Sequence, residues 1–136
     1  MEKRFKNWKL PIIKEGMMTK YNWLVQNKKN FKLGEYTDIG AFTYINAKYG
    51  VIIEDKVQIG SHCSIYSVST IDDKKGKVVI KKGARIGSHS TVMPGVIIGG
   101  NTVIGAHSFV NRDVPANVVA MGVPIKVVKL KKKVKQ

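Results

Sequence analysis

Aliphatic residues return along the chain at every sixth position, which is the period of neither a helix nor a strand. One long series runs without interruption, and two shorter series share its step. Helices repeat every 3.6 residues and strands every second residue, so neither produces this spacing. The pattern predicts a solenoid whose coils have three short sides of six residues each. The three series are Ile80, Ile86, Val92, Ile98, Ile104 and Val110; Leu33, Ile39, Ile45 and Val51; and Ile53, Ile59, Ile65 and Ile71.

Glycine follows several of the aliphatic positions, and small residues return four positions after them. Gly87, Gly99 and Gly105 each come directly after an aliphatic residue of the long series. Glycine suits the corners of a coil, where the backbone often requires positive φ. We expect the aliphatic residues to fill the interior of a prism and the small residues to occupy the tight space beside each corner. The small residues are Thr37, Thr43, Cys63, Ser69, Ala84, Ser90, Thr102 and Ser108.

Three sides of six residues make one regular coil. Residues that are one full coil apart in the sequence are therefore expected to lie above one another. Ser88 then lies under Ala106, and His89 lies under His107. With coils about 4.8 Å apart, as neighbouring strands are, the whole stack rises roughly 25 Å.

The period is interrupted twice. Two extra residues lie between Ile45 and Ile53, and three extra residues lie between Ile71 and Ile80. The second interruption contains the charged run 72–75 followed by a glycine, which predicts a polar loop that projects from a corner. On a regular scaffold such a loop usually carries specificity.

The chain has the length of a single domain. Residues 1–30 lack the period, and we expect them to cap the open edge of the first coil. The solenoid is predicted over residues 31–128, and residues 129–136 form a basic tail. No apolar run is long enough for a membrane span, and no secretory signal is expected at the N-terminus. A single cysteine fits a reducing cytoplasm.

The formal net charge is +15, and lysines are concentrated at both ends of the chain. This charge favours anionic partners in general, and it equally fits a solubilising surface. Nucleic-acid binding is not expected, because the tail IKVVKLKKKVKQ has no aromatic residue among its lysines. Peripheral association of this tail with an anionic membrane is left open.

The segment from Ile80 to Val128 resembles the hexapeptide-repeat acyltransferases, and within them the sugar O-acetyltransferases. The resemblance rests on IGSHSTVMPGVIIGGNTVIGAHSFV, followed by NRDVPANVVAMGVPIKVV with its terminal GVP element. It implies an all-β fold, the left-handed parallel β-helix, whose handedness is an exception to the usual right-handed crossover. It also implies a homotrimer that binds acetyl-CoA, the acyl donor, in the groove between two flat-sided chains.

The same resemblance implies a set of cofactor-binding residues. In the family, the positions of Ser88 and Ala106 hold the pantetheine arm, largely through backbone groups. The positions of Asn111, Arg112 and Lys126 face the nucleotide end, where cations suit the phosphates of CoA.

The resemblance is weaker at the positions where the family carries its general base. Transfer to a hydroxyl needs a base, because an alcohol is a poor nucleophile at neutral pH. Thr70 and Ala47 occupy the two positions at which related enzymes carry a histidine. His62 is the remaining catalytic candidate because it precedes the irregular stretch SIYSVSTIDD, whereas His89 and His107 are interpreted as structural or cofactor-lining. Without a protein base, an amino sugar is the simpler acceptor.

The leading hypothesis is an acetyl-CoA-dependent acetyltransferase that modifies a hydroxyl or amino group of a sugar or nucleotide-linked sugar, in surface-polysaccharide biosynthesis. No metal site is expected. His62, His89 and His107 are widely separated in sequence, whereas the zinc-dependent carbonic anhydrases of this scaffold need two histidines that are close in sequence. The alternative hypothesis is a trimeric scaffold or anionic-ligand-binding protein without catalysis.

Overall fold

The structure is a computed structural model that describes residues 5–131. No α-helix occurs within this range, and a 3-10 turn spans Lys28–Asn30. No helix in the described part of the chain is long and apolar enough to cross a membrane. The strands, in chain order, are β1 (Leu24–Gln26), β2 (Phe31–Leu33), β3 (Asp38–Ile39), β4 (Tyr44–Asn46), β5 (Val51–Ile53), β6 (Gln58–Ile59), β7 (Ser64–Tyr66), β8 (Val68–Ser69), β9 (Lys74–Lys75), β10 (Val78–Ile80), β11 (Arg85–Ile86), β12 (Thr91–Val92), β13 (Ile97–Ile98), β14 (Val103–Ile104), β15 (Phe109–Val110), β16 (Val118–Met121) and β17 (Lys126–Leu130).

Three sheets form the sides of a triangular prism. The first sheet has the order β1-β4-β7-β12-β15, the second β13-β10-β5-β2, and the third β17-β16-β14-β11-β6-β3. Neighbouring strands in these sheets run parallel, except for the antiparallel pair β16 and β17. Successive coils therefore add one strand to each sheet, as the six-residue period predicted. The fold is the left-handed parallel β-helix.

The predicted aliphatic residues fill the interior of the prism in columns. In the first sheet, Val25, Ile45, Ile65, Val92 and Val110 stand one above another in register, and each is fully buried. Burying an aliphatic side chain of this size contributes about 1.5–3 kcal/mol. The core is thus a narrow apolar column that each coil extends.

Most of the predicted small residues lie beside the corners and are buried. Their hydroxyl groups join neighbouring coils, since Thr43 donates to the Gly60 carbonyl and Ser90 to the Gly105 carbonyl, both at 3.2 Å. These bonds explain why polar side chains are tolerated at interior positions. Ser69 is the exception, because it is only partly buried and belongs to strand β8.

The lengths of the coils vary along the chain. Ile80 pairs with Ile98, three regular sides later, as predicted. Ile45 pairs with Ile65, which agrees with the two extra residues found in the sequence of this coil. A regular coil would bring Ile53 against Ile71, but Ile53 pairs with Ile80 instead. The second interruption is therefore longer than the three extra residues predicted.

The additional residues form a hairpin that leaves the prism between Ser67 and Gly76. Its strands β8 and β9 pair antiparallel, and the Gly76 N–H donates to the Ser67 carbonyl at 2.9 Å. Ile71 lies in this hairpin and is 100% exposed. The prediction that Ile71 points into the prism was wrong, because the chain makes a hairpin where the period suggested another side of a coil.

Regular coils begin at Leu24, within the segment predicted to be a cap, because β1 pairs with β4. The preceding residues lie against the first coil, where the Trp8 indole N–H donates to the Thr37 carbonyl at 2.8 Å. Glu15 also holds this segment by accepting the backbone N–H groups of Asn27 and Lys28, each at 2.7 Å. The Lys28 bond, followed by the Asn27 bond, lowers the pKa of Glu15.

At the other end, β17 crosses the predicted boundary at residue 128 and lies antiparallel to β16. Ile125, just before β17, is buried and closes the core. Residues 132–136 of the predicted basic tail lie outside the described residues.

Candidate functional site

Two cofactor candidates lie at the corner where the chain passes from the third sheet to the first. We call this edge the histidine corner, and it comprises residues 41–42, 61–62, 88–89 and 106–107. The second residue of each pair has a left-handed backbone conformation, with φ between 59° and 65°. The same backbone turn therefore repeats in four consecutive coils and aligns its side chains in a column.

Backbone hydrogen bonds connect the turns of the histidine corner. The His107 N–H donates to the Ser88 carbonyl at 2.9 Å, and the His89 N–H donates to the Ser61 carbonyl at 3.0 Å. Gly87 permits the close approach, since a Cβ atom there would lie 2.5 Å from the Ala106 nitrogen. The predicted stacking of Ser88 under Ala106, and of His89 under His107, is confirmed.

All three histidines of the chain stack in this column. The ring centroids of His62 and His89 are 4.7 Å apart with an interplanar angle of 4°, and those of His89 and His107 are 4.9 Å apart at 10°. The ring of Phe42 lies 5.2 Å from His62 on the opposite side. Two neighbouring rings that both carried a proton would repel each other at these distances.

His62, the predicted general base, lies between two aromatic rings of this column. It is exposed, whereas both faces of its ring are covered by Phe42 and His89. Aromatic contacts of this kind restrict the orientation of the ring and leave its nitrogen-bearing edge available. The sequence did not predict that His62 joins the column, because the length of the hairpin was underestimated.

Cys63, next to His62, is a structural residue. It is buried, and its thiol lies 3.3 Å from the Gly87 carbonyl. Burial raises the pKa of this thiol, while the backbone N–H groups of Ser90 and His89 offset part of the effect. A buried, protonated thiol is a poor nucleophile.

The candidates for the nucleotide end lie on different sides of the first sheet. Asn111 and Arg112 follow β15, and both are exposed. The Arg112 guanidinium donates to the Ile125 carbonyl at 2.9 Å, which places it beside Lys126, the first residue of β17. Lys126 belongs to the third sheet and pairs with Met121, which stacks on Gly105, so Lys126 lies on the histidine-corner side of the first sheet.

The hairpin also leaves from the far edge of the first sheet, after β7. Thr70, one of the two positions at which the resemblance led us to expect a histidine, is exposed in it. Asp72 accepts a hydrogen bond from the Ser69 hydroxyl and lies 3.7 Å from the Lys74 ammonium. The Ser69 bond is the main reason that the pKa of Asp72 is lowered.

A cleft of about 510 Å³ lies beneath the first coil, and we call it the N-terminal cleft. It forms where residues 5–11 and 20–23 face residues 37–39. Both tryptophans of the chain, Trp8 and Trp23, line it. Sequence reasoning missed this site, although the concentration of aromatic residues in the predicted cap was a signal for it.

Among residues 5–131, no group of three or more His, Cys, Asp or Glu side chains is arranged to hold a metal ion. The stacked histidines present parallel rings rather than nitrogens that converge on one point.

The repeat and the corner geometry agree with comparisons to other proteins. Residues 77–112 match the family described as bacterial transferase hexapeptide, six repeats. The chain is also 34% identical over 134 residues to the galactoside O-acetyltransferase of Escherichia coli K12, covering 87% of this chain. The chain belongs to the bacterial transferase hexapeptide family. This hexapeptide protein spans 66% of the length of the Escherichia coli relative.

Two solved structures share the fold. An acetyltransferase from Vibrio cholerae O1 biovar eltor, complexed with acetyl-CoA, has a TM-score of 0.77 and 26% identity, over 82% of this chain and 66% of that one. A variant of AntD, an N-acyltransferase from Bacillus cereus, was solved with dTDP-4-amino-4,6-dideoxyglucose and CoA. It has a TM-score of 0.58 and 26% identity, over 82% of this chain and 71% of that one.

Proposed function

We propose that this protein transfers an acetyl group from acetyl-CoA to a hydroxyl or amino group of a sugar or nucleotide-linked sugar. Support comes from similarity to a galactoside O-acetyltransferase, and to structures that hold acetyl-CoA or CoA with a dTDP-linked amino sugar. The observation that carries the proposal is the histidine corner. There, small residues leave a line of backbone exposed directly beside a column of imidazoles.

The donor lies along the histidine corner in this proposal. Backbone groups of Ser88 and Ala106 hold the pantetheine arm, because neither side chain is large enough to block it. Asn111, Arg112 and Lys126 contact the nucleotide end, where their charge suits the phosphates. Asn111 and Arg112 lie across the first sheet from the histidine corner, so one chain supplies only part of the cleft.

A homotrimer completes the site, since a groove between two prisms can enclose a long ligand that one flat face cannot. Exposed apolar residues near the C-terminus support self-association: Met121, Val123, Val127, Val128 and Leu130 are 45–77% exposed. Apolar surface of this extent is usually covered by a partner.

His62 acts as the general base for a hydroxyl acceptor. The hydroxyl proton moves to the imidazole while the oxygen attacks the thioester carbonyl. The carbon–sulfur bond then breaks, and the protonated imidazole returns the proton to the departing thiolate. A neutral amine attacks without this assistance, and His62 then accepts the proton that the new amide releases.

We place this reaction in the cytoplasm, where acetyl-CoA is available, and within surface-polysaccharide biosynthesis. A basic protein suits acceptors that carry phosphate, including nucleotide-linked sugars.

The proposal is tested in two steps with the full chain. Saturating acetyl-CoA should raise the melting temperature, because a ligand bound only by the folded state stabilises it. Thiol release from acetyl-CoA is then measured with UDP- and dTDP-linked amino sugars, with free glycosides and with oligosaccharides of several rings. The buried Cys63 should contribute little to the thiol signal. Failure of both measurements would favour the non-catalytic scaffold.

A further inference from the structure

We propose that the N-terminal cleft binds a hexopyranose ring of an extended glycan, next to the ring that receives the acetyl group. This inference rests on the acetyl transfer proposed above and narrows its acceptor. The acceptor is an oligosaccharide or polysaccharide of several rings rather than a single glycoside.

The cleft has an apolar floor and an aromatic wall. Trp23 and Ile39 form the floor and are 2% and 6% exposed, whereas Tyr21 at the wall is 49% exposed. A volume of about 510 Å³ is within the usual range of small-molecule sites. The cleft therefore has room for a sugar ring, and Tyr21 supplies exposed aromatic surface to receive its C–H face.

Trp8 is fixed in position before any ligand binds. Its indole N–H donates to the Thr37 carbonyl at 2.8 Å, and its ring lies 5.8 Å from the ring of Tyr36 at an angle of 46°. A side chain that is already ordered loses little conformational entropy when a ligand covers it. The cleft is thus preorganised on this side.

Polar groups stand around the aromatic surface. Asn7, Lys9, Lys20 and Asp38 also line the cleft, and they supply hydrogen-bond donors and acceptors of several kinds. A purely apolar occupant would remove water from these charged groups without replacing its hydrogen bonds, which is costly. A pyranose satisfies both parts of the cleft, because its ring face is apolar and its edge carries hydroxyls.

The location of the cleft connects it to the proposed reaction. Tyr21 and Asn22 precede the histidine corner by one coil, since the Asn22 carbonyl accepts the Phe42 N–H at 2.6 Å. His62 follows one coil later. At a coil spacing of about 4.8 Å, the level of the cleft and the level of His62 are roughly 10 Å apart. A ligand that occupies both must therefore be extended.

Intrinsic fluorescence reports on this cleft directly, because the only two tryptophans of the chain line it. The full-length protein is titrated with cellotriose, maltotriose, chitotriose and trigalacturonate, and with the corresponding monosaccharides. We expect at least one trisaccharide to change the fluorescence with a Kd at least about tenfold below that of its monosaccharide, a difference of about 1.4 kcal/mol. No saturable response to any trisaccharide would overturn the proposal.

Two variants locate the binding. Tyr21→Ala should raise the trisaccharide Kd about tenfold. Trp8→Phe should also weaken trisaccharide binding, while it preserves an aromatic ring at the wall of the cleft. Tyr49→Ala is the matched control: Tyr49 is 41% exposed with Lys48 5.6 Å from its ring, as Tyr21 is 49% exposed with Lys20 at 5.2 Å. Equal changes of the trisaccharide Kd in the two tyrosine variants would exclude the cleft as the saccharide-binding site.

Acetyl-CoA binding is measured on the same samples by thermal shift, which separates the two proposals. If the donor binds and no saccharide does, the subsite is wrong while the transferase proposal stands. If saccharides bind in the cleft and the donor does not, acetyl transfer fails and so does the role of the cleft as an acceptor subsite.

Discussion

The His62 imidazole has its orientation set by its neighbours in the column. Phe42 covers one face and His89 covers the other at a centroid distance of 4.7 Å. The two contacts therefore hold the plane of the His62 ring, which is the orientation that the proposed transfer would use.

His62→Asn tests the catalytic role without disturbing the backbone. Asparagine already occupies equivalent left-handed corner positions, with φ of 58° at Asn101 and 60° at Asn117. We expect turnover with a hydroxyl acceptor to fall by roughly 10²–10⁴-fold, at an unchanged melting temperature. Steady-state kinetics measure the loss. Lys56→Asn, at another corner with φ of 61°, is the control. A loss of less than about tenfold would indicate an acceptor that needs no protein base.

Ala106→Phe tests the position of the donor. A phenyl group on the exposed line of the histidine corner should lower acetyl-CoA affinity at least about tenfold by steric exclusion, a loss of about 1.4 kcal/mol. Calorimetric titration measures it. Ala116→Phe is a matched control, because Ala116 is also an exposed alanine directly above a glycine, Gly99, at a different corner. Unchanged affinity in Ala106→Phe would show that the donor lies elsewhere.

At the scale of elements, the hairpin is separable from the prism. Its ends meet through the hydrogen bond between Gly76 and Ser67, and the buried residues Ile65 and Val78 lie outside it. The core therefore does not depend on it, and its charged tip is exposed.

Replacing residues 68–75 with two glycines should leave the melting temperature within about 3 °C of the parent, since no core side chain is removed. Acetyl-CoA affinity should also be unchanged. The rate of acetyl transfer to sugar acceptors should fall. Steady-state kinetics would record this loss as a raised KM for the acceptor or a lower kcat/KM. The control is Ile71→Ser, which keeps the hairpin. A shortened protein with full transfer activity would exclude the hairpin from acceptor recognition.

At the scale of the whole molecule, the two ends of the prism differ. Residues 5–23 cover the first coil, whereas β16 and β17 close the last one and leave apolar side chains exposed. Apolar side chains are also exposed near the start, among them Leu10 at 61% and Ile12 at 82%, so both ends of the prism present apolar surface.

Light scattering should give a mass about three times the 15.1 kDa of one chain. Combining Val128→Ser with Leu130→Ser should lower the measured mass of the assembly or raise the dissociation constant of the trimer. Both side chains are more than half exposed, and their burial between chains would support association. Ile12→Ser is the control, with an isoleucine that is 82% exposed near the N-terminus. A monomer that still binds acetyl-CoA would exclude the site between chains.

Much of the fold could be predicted from the spacing of residues. Ile80, Ile86 and Val92 recur because each successive side of a coil needs one aliphatic residue directed inward, so the period records the geometry. The hairpin could not be predicted in the same way. Ile71 continues the period although it lies outside the prism, and its local sequence does not show whether the chain stays on the prism.

Of the candidate site, the sequence predicted the pair Ser88 and Ala106 and the pairing of His89 with His107, because these depend on a regular coil of three equal sides. It predicted His62 as a separate residue. The place of His62 in the column depends on the long coil that contains the hairpin, whose length becomes visible only when Ile53 is paired with Ile80.

The amino-acid sequence alone determined that the chain forms a three-sided solenoid, since a repeated local pattern specifies a repeated local structure. Tertiary structure decided the rest: how far the hairpin departs from the prism, which side chains stack at the histidine corner, and where residues 5–23 enclose a cleft. These features depend on contacts between residues distant in sequence, and no short-range pattern encodes them.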